Sequence, residues 1–197
     1  MRDTAILIFD DAEVLDFCGP FEVFSVTNEL NNYELFNVYT VADRKRAIRA
    51  KNGLKVQPEY GFRSSPAPDI LLIPGGSGTR KVMHDGRALS WIKTAAAGAE
   101  LLLTVCTGSL VLAQTGLLDG LKATTHHEVI PLLKETAPDT EVLPEKRFID
   151  NGSVIVSAGI SAGIDMSLYV VARLHGEEVA KRTARYMEYS WENEKWD

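Results

Sequence analysis

The sequence predicts an α/β domain, with a mostly parallel central sheet covered by helices on both faces and residues 1–197 forming a single domain. Three observations predict it. The apolar runs at 5–9, 69–73 and 101–105 are continuous rather than alternating, as in strands buried on both faces. Helical segments separate these runs, so the strands are joined by crossovers. Residues able to do chemistry follow directly after several strands, where open parallel sheets gather their sites.

Taken in order, the first run ends at Asp10 and Asp11. Asp16 is expected in the loop that follows, just before or at the first helix. Pro20 fits the first turn of that helix, and Phe21, Val23 and Phe24 supply its apolar face. A second strand is expected over 35–41 and a hairpin-like excursion over 48–56. Ser64-Ser-Pro-Ala-Pro68 breaks the pattern. The run 69–73 leads into Pro74-Gly-Gly-Ser-Gly78, where glycines after a strand mark a close backbone approach or a plain tight turn. It carries neither a dinucleotide fingerprint nor a P-loop lysine. A helix over 87–97 places Trp91 on its apolar side. After the strand 101–105, a helix starts near Ser109 and runs to about Gln114, capped by Gly116.

Residues 122–126 read as a short strand ending in His126, and 127–134 as a helix limited by Pro131. Residues 148–156 form a hairpin turning at Asn151-Gly152. A small-residue stretch, 157–163, opens a helix over 164–174, and a last helix runs from Glu177 to about Trp191. Trp191 and Trp196 either bury against a partner subunit or finish the fold.

Composition narrows the function classes. The formal net charge of -6 argues against a nucleic-acid groove or an anionic membrane surface, since both need clustered cations. Arg44-Lys-Arg46 is too short to alter this. No apolar run has the length of a membrane span. The N-terminus enters a strand directly, without the charged and apolar regions of a signal peptide. Cys18 and Cys106 are the only cysteines, and neither has a metal-ligand spacing. Free thiols in a reducing cytoplasm are expected, with no metal.

The stretch Leu101-Leu-Leu-Thr-Val-Cys-Thr-Gly-Ser-Leu-Val-Leu112 carries the candidate nucleophile. Cys106 sits where the strand turns at once into a helix, a nucleophile elbow. Adjacent backbone N–H groups and the helix N-terminus are expected to lower the thiol pKa and to stabilise an anion beside it. The competing reading is an inert, buried Cys acting as a small hydrophobe. Asp16, Gly75-Gly76 and His126 all fall at the same sheet edge by this reading. For Asp16 the competing use is a helix N-cap, and for His126 a hydrogen-bonded strand end.

The motifs Leu15-Asp-Phe-Cys-Gly-Pro20, Ile73-Pro-Gly-Gly76, Val105-Cys-Thr-Gly-Ser109, Ala123-Thr-Thr-His126 and Gly159-Ile-Ser-Ala-Gly-Ile-Asp165 together resemble the ThiJ/PfpI superfamily over nearly the whole chain. Within it, Asp at position 16 is similar to the isonitrile hydratase subgroup. The resemblance implies a flavodoxin-like, glutamine-amidotransferase-related fold and a homodimer. It implies Cys106 as nucleophile on a strained elbow and Asp16 beside its sulfur as general acid or base. Thr107 would contribute a backbone N–H, and its hydroxyl, to the reacting group, and Gly75 or Gly76 a second N–H. His126 would lie near Cys106, and Ile160 would pack by the Cys106 backbone. The same domain occurs fused to helix-turn-helix regulators, for which this length leaves no room.

The chemistry needs one nucleophile and one carboxyl, and no cofactor. A Cys106 thiolate adds to an isocyanide carbon to give a thioimidate. Asp16 supplies a proton and then activates water, and loss of the thiol releases an N-substituted formamide. Apolar Leu15 and Phe17 are expected to raise the Asp16 pKa. The expected substrate is a small, mostly apolar isocyanide. Three alternatives stand beside this one. A glyoxalase or deglycase on small aldehydes usually carries Glu at position 16. A Cys–His hydrolase of the amidase or peptidase sort would need an acid to orient His126, and Glu128, two residues along a helix, does not face it. An oxidation-sensing protein would use Cys106 as a sulfinate. Cys18 is expected to pack rather than react, and His127 to be solvated.

Overall fold

The computed structural model describes residues 1–191. The chain begins with β1 (Arg2–Leu7), α1 (Val14–Glu29) and β2 (Phe36–Ala42), followed by a small hairpin of β3 (Ile48–Arg49) and β4 (Lys55–Val56). Next come β5 (Tyr60–Gly61), β6 (Ile70–Ile73), α2 (Thr79–Val82), α3 (Gly86–Gly98), β7 (Leu101–Val105) and α4 (Gly108–Ala113). The last part holds β8 (Lys122–Ala123), α5 (Ile130–Thr136), β9 (Glu141–Val142), β10 (Phe148–Asp150), β11 (Val154–Ser157), α6 (Ala162–His175) and α7 (Glu177–Tyr186).

Seven strands form the central sheet in the order β10-β11-β7-β6-β1-β2-β5. Every neighbouring pair is parallel except β10 with β11. The run β2-β1-β6-β7-β11 is the flavodoxin-like order 2-1-3-4-5, whose switch point lies between β1 and β6. The unalternating strands are explained by two apolar layers. Ile6, Leu103 and Val105 pack with α1, α6 and α7, while Ala5, Leu7 and Leu102 pack with α3, α4 and α5. Register brings the strand ends level: Ile73 opposes Thr104, and Val105 opposes Ser157. The residues that follow β6, β7 and β11 therefore meet above one edge.

Several boundaries differ from expectation, each for a local reason. α1 begins at Val14, so Asp16 lies in its first turn rather than in the preceding loop. Pro20 is inside the helix, where it has no N–H to donate to the Asp16 carbonyl. Burial of Phe17, Val23 and Phe24 on the sheet keeps the helix continuous. β8 pairs only with β9, in a separate two-stranded sheet, so His126 is not at the end of a central strand. It caps a 3₁₀ turn over His127–Val129, and Pro131 sits harmlessly in the first turn of α5. α7 stops at Tyr186, and Glu188 takes a left-handed φ of 51°. Trp191 packs against the chain's own core beside α1 and α6, while Trp196 lies outside the described residues. No helix among the described residues is long and apolar enough to cross a membrane.

Candidate active site

Cys106 links β7 to α4 with φ 56°, in the left-handed region. For a residue with a Cβ this costs about 1–2 kcal/mol, so the surroundings must impose it. They do so at both ends of the residue. Its N–H donates to the carbonyls of Ser157 and Ala158, each at 3.1 Å. Its carbonyl accepts from Thr125 Oγ1 at 2.9 Å and Ser109 Oγ at 3.2 Å. The backbone of Cys106 is held by the end of β11, by α4 and by the loop after β8 at once.

Asp16 is fully buried and faces the Cys106 thiol. It is not a helix cap: the N-cap of α1 is Glu13. Asp16 Oδ2 accepts from the N–H of Gly75 at 3.0 Å, across the switch point between β1 and β6. Oδ1 is buried with no hydrogen-bond partner. Gly75 is required by close approach. A Cβ there would lie 2.5 Å from Thr107 N and 2.8 Å from Asp16 Oδ2. Gly75→Ala is expected to destabilise the fold by about 2–3 kcal/mol, measurable by urea unfolding, because backbone must move to admit it.

Electrostatics reverse one expectation. Burial pushes the Cys106 thiol up to about 12, and the neighbouring Asp16 charge adds to the effect. The N–H groups of Thr107 and Ile160 favour the thiolate but do not offset the loss of water around sulfur. α4 is six residues long, and its N-terminus does not reverse the balance. Burial likewise pushes Asp16 up to about 7, opposed by the Gly75 N–H and the Cys106 contact. Phe17 shares this burial, whereas Leu15 is partly exposed. Two facing acids titrate as a pair. Between about 7 and about 12 the pair holds one proton.

The glycine loop serves the pair from behind. The Gly75 N–H is engaged by Asp16, and the Gly76 N–H donates to Thr107 Oγ1 at 2.9 Å. Both are spent within the protein rather than aimed at a ligand. The Thr107 hydroxyl is also committed, lying 3.1 Å from the Gly76 carbonyl and 3.2 Å from Thr79 Oγ1. What remains directed at the sulfur are the backbone N–H groups of Thr107 and Ile160. Ile160 precedes α6 and, like Cys106, has a left-handed φ, of 51°.

His126 reaches the site through the loop after β8. Its ring lies over Gly159, where a Cβ would come within 2.4 Å of Cδ2. The Glu128 N–H donates to its Nδ1 at 3.3 Å, and Glu128 Oε2 stands 4.0 Å away. Glu128 does meet His126, because this segment is a 3₁₀ cap and not a helix interior. His127 is exposed and tilts against the His126 ring at 4.4 Å. Cys18, on α1, is half-buried, packs against the core and is not among the residues lining the cleft described below.

A cleft of about 240 Å³ opens above these groups, with Cys106, Thr107 and Gly76 in its lining. Val129 and Ile160 are its aliphatic walls, and His126 closes one side. The rest is charged. Lys51, from the turn between β3 and β4, pairs with Glu13 at 2.9 Å. Arg80, on α2, joins them. The sequence reading missed all three. Lys51 stands in a polar hairpin turn with no local mark, whereas Arg80 could have been found four residues after Gly76.

An elbow of this kind, closing the fourth strand of a flavodoxin-like order, places the chain in the class of α/β proteins that hold one residue on a tight strand-to-helix turn. Within that class the chain belongs to the DJ-1/PfpI family, whose pattern matches residues 2–173. It is 32% identical over 188 residues to isonitrile hydratase of Pseudomonas putida, covering 93% of this chain and 77% of the relative. It is 28% identical over 179 residues to the HTH-type transcriptional regulator GbdR of Pseudomonas aeruginosa, covering 91% of this chain and 48% of the regulator. The chain therefore spans about half the length of that protein. The crystal structure of a THiJ/PfpI family protein from Pseudomonas syringae matches it with a TM-score of 0.87 at 28% identity, over 97% of this chain and 76% of the other.

Proposed function

We propose that the chain is a cysteine-dependent, isonitrile hydratase-like lyase that adds water to small isocyanides to give N-substituted formamides. The observation that carries this reading is the fully buried Asp16 carboxyl facing the Cys106 thiol, where a proton can pass between the two. Moving that proton from sulfur to carboxylate creates a thiolate beside a neutral acid, with no change in net charge. The pair is thus suited to a neutral electrophile that must gain a nucleophile and a proton at one carbon. Identity to isonitrile hydratase along most of the chain supports it.

In the reaction, Asp16 takes the thiol proton as the sulfur bonds to the terminal isocyanide carbon. It returns the proton to that carbon, leaving a thioimidate. Ionised again, Asp16 takes a proton from water as the oxygen bonds to the same carbon, and passes it to nitrogen. The carbon–sulfur bond then breaks as the hydroxyl proton returns through Asp16 to the thiol. The sum is isocyanide plus water giving formamide. The N–H groups of Thr107 and Ile160 stabilise negative charge on sulfur at both ends of the cycle. His126 forms the cleft wall. On the same reading the chain works as a homodimer in a reducing cytoplasm, and its two free cysteines support the second part.

The test is turnover of aryl and alkyl isocyanides beside methylglyoxal, for the wild type, Cys106→Ser and Asp16→Asn. Formamide production lost in both variants is expected. Methylglyoxal turnover without isocyanide turnover replaces this reading with the glyoxalase one. Turnover of neither, with peroxide modifying Cys106 selectively, replaces it with an oxidation sensor.

A further inference from the structure

The cleft above Cys106 carries more charge than a small apolar isocyanide needs. Two of its charged groups, Lys51 and Glu13, form an ion pair. Lys51 Nζ lies 2.9 Å from Glu13 Oε2, and Glu128 Oε2 stands 4.0 Å from His126 Nδ1, a ring nitrogen that accepts from the Glu128 N–H. Arg80 differs. Its Nη1 donates to the neutral Thr79 Oγ1 at 2.9 Å, and among the described residues no carboxylate lies within ion-pair distance of it. The residue is exposed, and that bond links it to the floor of the cleft. Thr79 Oγ1 lies 2.7 Å from the Gly76 carbonyl and 3.2 Å from Thr107 Oγ1, so the guanidinium is tied to the frame that holds the elbow. The remaining donors of the fork suit a planar carboxylate.

From this we infer that Arg80 is the anion-recognising residue of the cleft, and that the substrate is a small molecule bearing a carboxylate. Resting on the hydratase reading above, that molecule is an isocyanide of the isocyanoacetate type. The size agrees. A cleft of about 240 Å³ has room for a molecule the size of a carboxylate joined to an isocyanide. On this inference the substrate is a small anion, where the sequence led to the expectation of a small, mostly apolar isocyanide.

Two measurements test this together. The first compares kcat/KM for isocyanoacetate and methyl isocyanoacetate. The second compares the affinity of N-formylglycine, the corresponding formamide, with that of its methyl ester by calorimetry. Each is made on the wild type, Arg80→Met and Lys81→Met, a cation on the same short helix outside the cleft lining. The wild type and Lys81→Met are expected to favour the carboxylate at least about tenfold in both measurements, and Arg80→Met to bring both ratios close to one. Equal handling of acid and ester by the wild type overturns the inference, as does a preference that survives Arg80→Met. If N-formylglycine binds through Arg80 while neither isocyanide is turned over, the anion site stands and the hydratase reading falls.

Discussion

Asp16→Asn is expected to abolish isocyanide hydration and, at pH 8, to make the protein more stable. The rate effect follows from the proton path: Asn can neither take the thiol proton nor activate water, and loss of such a group costs about 10³-fold. The stability effect follows from burial. The carboxyl has an ordinary pKa of 3.8 and is pushed up to about 7 in the folded protein, chiefly by loss of water. A folded pKa above the unfolded one means that the folded state holds its proton longer. The stability linked to Asp16 is therefore fully present below about pH 4 and is lost as pH rises through about 7. Above that pH the ionised carboxylate costs about 4 kcal/mol. Asn removes this cost but adds an N–H where Oδ1 already has no partner, a penalty of about 1–3 kcal/mol. The expected balance is a gain of about 1–3 kcal/mol at pH 8 and none, or a loss, at pH 4. Urea unfolding at the two pH values reads it. A variant equally destabilised at both would mean that burial does not oppose ionisation of Asp16.

The same shift sets the pH dependence of the wild type. If the ionised carboxylate is the base, kcat/KM should rise with pH to half its plateau near 7. No falling limb from the thiol is expected below about 12. A profile that instead falls through neutrality would assign the protonated carboxyl as the required form.

Much of this could be read from the chain because its signals are local. Leu101 to Val105 is apolar on both faces since the strand lies between two helical layers, and a run without alternation says so directly. The elbow was legible because Cys106 falls between a strand and a glycine that starts a helix. What was not legible depends on depth and on direction. The sign of the thiol shift turns on how much water is lost around sulfur, which no neighbour in sequence reports. The N–H groups of Gly75 and Gly76 point toward Asp16 and Thr107, residues far away along the chain. His126 enters through a two-stranded sheet whose partner, β9, has almost no strand signal of its own. Lys51 and Arg80 reach one cleft from opposite sides of the switch point, so only topology brings them together.

Cys106→Ala and Cys106→Gly are expected to be equally inactive and unequally stable, in the reverse of the usual order. Each removes the sulfur that carries the substrate, so formamide production should fall by about 10⁴-fold or more, with no rescue by pH. Stability separates them. In ordinary positions Gly is less stable than Ala by about 0.5–1 kcal/mol, because it loses more freedom on folding. At φ 56° the Cβ is itself the source of strain, and removing it returns about 1–2 kcal/mol. Five hydrogen bonds to the backbone of Cys106 hold that conformation whichever side chain is present. Gly should therefore exceed Ala in unfolding free energy by about 0.5–1 kcal/mol. If Ala is the more stable, the elbow relaxes when sulfur is removed, and the thiol rather than the surrounding frame holds the backbone in its left-handed turn. The opposite order would show that the fold imposes the turn, placing the nucleophile beside Asp16 before any substrate arrives.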